Sequence, residues 1–218
     1  MRIYIRYLVY LYVLFVFSLA NAGSYDDFFV ALQRDDAAAV RTLLKRGFDP
    51  NTVNPKGIHA LIVALREPSL NVATALLENP LTQAEVRTAQ DESALMLAAI
   101  KGYLDICKLL IARDADVNKP GWAPLHYAAT GGHIAVMRLL LDNHAYIDAA
   151  SPNGSTPLMM AAQYGTNDAV KLLIDAGADP ALKNVQGLTA MDFARQVQRE
   201  DTVLLIAAGV RGQRKGTW

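Results

Sequence analysis

The sequence predicts an all-α repeat solenoid of about six units, preceded by a signal peptide, and three observations carry that expectation. First, Leu61, Leu95, Leu125, Leu158 and Met191 recur in matching local contexts at intervals of 34, 30, 33 and 33 residues, a period typical of stacked repeats. Second, the aliphatic pairs beginning at Leu43, Leu76, Leu110, Leu140, Leu173 and Leu205 recur at 33, 34, 30, 33 and 32. The two registers shorten at the same place. Third, apolar positions such as Val170, Leu173 and Ile174 follow helical spacing, so each unit has a helical face that only a neighbouring unit can cover.

The leader comes first in the chain. Arg2 and Arg6 precede an uncharged run from Tyr7 to Leu19, then Ala20, Asn21 and Ala22. A basic start, a 13-residue apolar run and an A-x-A site are the parts of a secretory signal peptide. The run is shorter than the ~20 residues of a membrane-spanning helix. Cleavage after Ala22 leaves 196 residues, 19 of them basic and 21 acidic, hence a soluble, exported and weakly acidic chain.

Composition narrows the field further. Of 218 residues 52% are hydrophobic, with 21 basic against 21 acidic side chains and one cysteine. A lone Cys107 forms no internal disulfide, and balanced charge gives no general attraction to nucleic acid. An exported chain without disulfides depends on packing.

The units are expected at about 25–57, 58–91, 92–121, 122–154, 155–187 and 188–212, with 23–212 as the repeat domain and 213–218 as a tail. Unit one places Asp26 and Asp27 before Phe28 as a polar end. In the later units Ser93, Thr156 and Thr189 are positioned to cap a first helix, and Pro157 suits a first helical residue. Ala98-Ala99, Ala128-Ala129 and Ala161-Ala162 permit close approach between helices. Gly102, Gly132 and Gly165 then turn the chain into a second helix. That helix is expected to end in left-handed backbone at Gly47, Gly177 and Gly209, with Asp114 and His144 in the same place. Pro80 occupies it in unit two, which predicts an irregular loop over Asn79-Pro80-Leu81. Arg195, Gln196 and Gln198 replace small residues in the last unit and form the other polar end.

Pro124-Leu125-His126-Tyr127-Ala128-Ala129 with Gly132-His133, and Thr156-Pro157-Leu158-Met159-Met160-Ala161-Ala162 with Gly165, resemble the ankyrin repeat signature T-P-L-H-x-A-A. The resemblance covers nearly all of the chain after the leader and implies an ankyrin repeat solenoid of helix-turn-helix units. It also implies protein binding through the turn fingers and the exposed edge of the first helices. Those positions fall on Lys56, Ile58, Arg66, Gln90, Glu92, Ile100, Lys101, Trp122, Thr130, Asn153, Ser155, Gln163, Tyr164, Gln186 and Leu188. Ile58, Ile100, Trp122, Tyr164 and Leu188 are apolar or aromatic, the composition of a binding hot spot; the competing reading is that they fold back onto neighbouring repeats.

The 30-residue interval marks a three-residue deletion in the finger Lys119-Pro120-Gly121-Trp122. It predicts a notch lined by Trp122, set against a harmless loop truncation. Cys107 aligns with the core positions Met137 and Val170 and reads as a buried hydrophobe. His59, His126, His133 and His144 occupy four different repeat positions, against a shared metal site; the resemblance gives His126 and His133 hydrogen-bonding roles. No H-E-x-x-H, G-x-S-x-G or phosphate-loop pattern occurs, so neither catalysis, a small-molecule substrate nor a cofactor is expected. The basic tail from Arg211 to Trp218 reads as a solvated terminus, or as a contact for an anionic surface.

The resemblance to compact exported bacterial members implies a periplasmic module that binds and stabilises or regulates another envelope protein. Antioxidant enzymes such as catalase are one partner class in that group. The alternative it leaves open is an immunity protein that neutralises a toxin delivered into the envelope by a neighbouring cell.

Overall fold

The computed structural model describes residues 23–215, with side chains to Arg211; the expected leader, with the cleavage expected after Ala22, and Gly216 to Trp218 lie outside the described residues. Every regular element described is a helix. In chain order these are α1 (23–33), α2 (Ala37–Lys45), α3 (Ala60–Arg66), α4 (Leu70–Glu78), α5 (Ala94–Lys101), α6 (Leu104–Ile111), α7 (Pro124–Gly131), α8 (Ile134–Asp142), α9 (Pro157–Gln163), α10 (Asn167–Asp175), α11 (Ala190–Gln196) and α12 (Glu200–Lys215). They make six helix-turn-helix pairs, as the repeat registers require. The only extended pairing among the described residues is two isolated bridges, Val53 with His59 and Arg87 with Ser93.

Packing divides the chain into two compact units, one through Gln83 and one from Ala84. In the first, Phe28 is fully buried and stacks on Phe48 at 4.6 Å, while Asp26 and Asp27 stay exposed. Asp35 joins the two repeats of this unit by accepting the Val72 N–H at 2.9 Å and the Asn71 amide at 2.7 Å. α4 ends at Asn79 with extended backbone before Pro80, as the proline requires.

In the second unit the first helices α5, α7, α9 and α11 pack in sequence, and α6, α8, α10 and α12 form the second row. The alanine pairs at 98, 128 and 161 are fully or almost fully buried. Ser93, Thr156 and Thr189 each accept the N–H three residues on, as N-caps do. α7 has Ala123 at that place, and the His126 ring substitutes: Nδ1 accepts the Ala123 N–H at 3.1 Å.

The turn residues separate into two kinds. Gly102 and Gly132 are left-handed helix ends, and Asp114 and His144 also have positive φ, 60° and 64°. Gly165 does not; a Cβ there would stand 2.3 Å from the Ala129 carbonyl oxygen, so close approach demands the glycine. Gly209 departs from its expected role altogether. It lies inside α12, which runs on to Lys215, and a Cβ would meet Ile174 at 2.7 Å. Helix-to-helix contact, not chain reversal, explains that residue.

Candidate functional site

The fingers are the places where the repeats differ. Among the described residues four close in one way. Asn54, Thr88, Ser151 and Asn184 donate their backbone N–H to the carbonyl four residues on, at 2.9 to 3.0 Å. Their side-chain oxygens accept the returning N–H of Ile58, Glu92, Ser155 and Leu188. Short polar side chains suit this job because they mimic a backbone turn.

The finger at Lys119–Trp122 has no such closure. Behind three of these four fingers stands a residue whose side chain accepts an N–H from the following repeat: Asn51 from Gln83, Glu85 from Asp116 and Asp148 from Asp179. Asn118 does the same for Tyr146 at 2.7 Å. Yet Asn118 lies seven residues before its anchor Leu125, whereas Asn51, Glu85 and Asp148 lie ten before theirs. The missing three residues are therefore the finger tip itself.

What replaces the tip is a tether. Lys119 is only 4% exposed, and its ammonium meets Asp91 of the preceding finger at 2.5 Å and donates to the Pro120 carbonyl at 3.2 Å. Arg87 adds a contact to Asp91 at 3.1 Å. Lys119 first, then Arg87, hold the Asp91 carboxyl below its ordinary range. Gly121, with φ of 80°, then swings the chain so that Trp122 lies edge-on to His126, ring centres 5.3 Å apart.

Trp122 becomes one wall of a cleft of about 170 Å³ lined by Ile100, His126, Tyr127, Thr130 and Met160. The His126 ring closes its floor. Nε2 donates to the Ser155 carbonyl at 2.9 Å while Nδ1 is already occupied, and burial lowers its pKa. Tyr127 donates to Glu92; burial first, then the Glu92 charge, raises its pKa and keeps the hydroxyl protonated. The cleft thus offers apolar walls with polar groups at the edge, a socket for a side chain.

These residues are carried by an array whose family can be read directly. A three-copy ankyrin repeat profile matches residues 28–120, 81–151 and 125–215. The chain belongs to the ankyrin repeat family. It is 33% identical over 134 residues to the mouse (Mus musculus) ankyrin repeat and SAM domain-containing protein 6, covering 58% of this chain and 15% of that protein. It is 30% identical over 179 residues to the Gallus gallus nuclear factor NF-kappa-B p105 subunit, covering 79% of this chain and 18% of that one. With the Mus musculus B-cell lymphoma 3 protein homolog it shares 31% over 163 residues, covering 72% and 36%. The ankyrin chain thus spans little more than a third, at most, of these relatives. Ankyrin repeat arrays are protein–protein interaction modules, and this chain is built as one.

The residues expected to face a partner are distributed unevenly. Ile100, Trp122 and Thr130 come together at the cleft, and Glu92 borders it through Tyr127. Lys101 is exposed at the end of α5, and Tyr164, 59% exposed, stands with the half-buried Gln163 at the end of α9, off the cleft wall. Leu188 is half-buried at the base of its finger, and Gln90, Asn153 and Gln186 are exposed on theirs. In the first unit Lys56 and Arg66 are exposed and Ile58 half-buried.

Ser155 is a correction. It is 1% exposed, its backbone is consumed by the finger and by His126, and it presents nothing to a partner. Tyr127, Met160 and Lys119 are additions. Tyr127 and Met160 fall two residues after their anchors, in the column that also holds the half-buried Val63 and Leu97, and reading that column would have found them.

Cys107 is fully buried in α6, and burial pushes its thiol up to about 12. The histidines serve the scaffold. His59 caps α3, His133 donates to the Ile100 carbonyl at 3.0 Å, and His144 supplies a positive-φ turn. No cluster of metal-binding side chains and no helix long and apolar enough to cross a membrane occurs among the described residues.

Proposed function

We propose that this chain is a non-catalytic binding module of the bacterial periplasm whose cleft between α5, α7 and α9 seats a bulky apolar side chain of another envelope protein. The occupant is held in a stabilised or regulated state; an antioxidant enzyme such as a catalase is the partner class proposed. The observation that carries the reading is the loss of a finger tip beside Trp122, which borders a cleft lined by Ile100, Tyr127 and Met160. The basic, apolar and A-x-A parts of the leader support export, with Gly23 as the first residue of the mature chain.

The test is recovery of partners by the tagged chain from a periplasmic extract, for wild type, Trp122→Ala and Tyr164→Ala. One protein should be lost with Trp122→Ala, its affinity falling by about 30-fold or more as for a central aromatic anchor. It should be retained with Tyr164→Ala. Recovery of an unchanged set by a folded Trp122→Ala variant would refute the cleft. A captured toxin whose activity is blocked would replace the catalase reading with that of an immunity protein. N-terminal sequencing of the recovered chain checks the export step.

A further inference from the structure

The last helix carries a pattern that neither the stack nor the cleft uses. α12 packs against α10 and α11 through Thr202, Val203 and Ile206, which are buried, and through Gly209, which lies against Ile174. Its opposite side is a stripe of exposed residues, Asp201, Leu204, Ala208 and Arg211. The spacing is three, four and three, the alternation that keeps one seam of a helix turned toward a partner helix. Leu204 is 66% exposed. Neither Asp201 nor Arg211 has an ion-pair partner among the described residues.

The order along this stripe is acid, large apolar, small apolar, base. Turned end for end, it complements itself. Positions 201 and 211 sum to the same value as 204 and 208. In an antiparallel pair, the register that sets acid against base therefore also sets large against small, and two-fold symmetry makes each contact twice. A parallel pair would set like charges together. Ala208 lets the helix axes come near the short end of the usual 8–10 Å range, where Leu204 of the other copy fills the space.

We propose that α12 is a self-association surface on which a second copy of this chain docks antiparallel, Asp201 of each opposite Arg211 of the other and Leu204 opposite Ala208. One helix pair buries well below the roughly 1,600 Å² of a standard interface. Association is accordingly weak, with Kd on the order of 10–100 μM. The surface is separate from the cleft of the proposed function and stands or falls without it.

Sedimentation velocity of the full chain from about 5 to about 500 μM measures it directly, since that range brackets the expected Kd. Wild type should pass from monomer to dimer. Asp201→Arg and Arg211→Asp should each weaken the dimer about tenfold or more by creating two like-charge pairs, and the double exchange should return it to within about threefold of wild type. Leu204→Glu should leave only monomer. Arg211→Asp lies far from the helix start, so it separates loss of docking from any helix-end effect at position 201; thermal melting of each variant verifies folding. A wild-type chain that stays monomeric throughout, association indifferent to either exchange, or a double variant as weak as the singles would each overturn the proposal.

Discussion

His126 joins two repeats with one ring, and that gives the molecule a pH dependence of fixed sign. Nδ1 must be unprotonated to accept the Ala123 N–H while Nε2 donates to Ser155, so the fold holds the neutral tautomer. Burial lowers its pKa from the ordinary 6.5, and burial lowers that of His59 as well. Below that ordinary value the unfolded chain binds protons that the folded chain refuses, so stability falls as pH falls. The slope from His126 reaches at most about 1.4 kcal/mol per pH unit. The melting temperature should decline from about pH 7.5 to about pH 5.5, and the decline should be shallower in His126→Gln. Asp91 and Asp192, whose pKa values are lowered by hydrogen bonds from Lys119 and Thr189 respectively, contribute in a lower window. Their stabilisation is present above the ordinary carboxyl pKa and is lost only as pH falls through the depressed folded values. A flat profile between about pH 7.5 and pH 5.5 would remove His126 from this role.

At the scale of elements, two glycines that occupy similar-looking turns should fail for different reasons. Gly177 has φ of 100° and open space where a Cβ would go. Valine there should cost more than about 1 kcal/mol from backbone strain alone. Gly165 has ordinary φ but no room beside the Ala129 carbonyl. Even alanine there should cost more than about 2 kcal/mol, a steric penalty within a packed helix pair. Denaturant midpoints of the two variants check both, and a harmless Gly165→Ala would mean that α7 and α9 can separate at no cost. The contrast also shows what a sequence can reveal. Caps, alanine pairs and Pro80 were legible because each obeys a local rule of propensity or backbone geometry. The deletion in the finger at Lys119–Trp122 was legible from spacing. The tether that replaces the tip was not, because the burial of Lys119 depends on Asp91, a residue of another finger. Ser155 departs from its expected exposure because family position fixes the finger but not that the His126 ring takes the Ser155 carbonyl. Gly209 was misassigned because alignment with Gly47 and Gly177 carries no information about Ile174, the neighbour that decides its role.

The whole second unit is held by contacts between adjacent repeats, and this determines how a defect spreads. His133 reaches back to Ile100, and His126 reaches forward to Ser155. Arg199 reaches from the last repeat to the Ala161 and Ala162 carbonyls, at 3.0 and 2.9 Å, and to Asn167 at 3.1 Å. Each bond crosses one boundary only. Stability in such an array is close to a sum of repeat and nearest-neighbour terms. Removing the Arg199 guanidinium takes a charged donor from both carbonyls; Ala161 keeps the Gly165 N–H at 3.0 Å, and hydrogen bonds of this charged kind are worth about 1.5–3 kcal/mol. Arg199→Ala should therefore loosen α11 and α12 by roughly that amount and leave α5 and α7 untouched. Amide hydrogen exchange resolves the two regions in one experiment. Faster exchange confined to α11 and α12 would establish a nearest-neighbour array with a weak last step. Equal acceleration from α5 through α12 would mean that the unit opens as one cooperative block, and that Arg199 supports the cleft as well as the end.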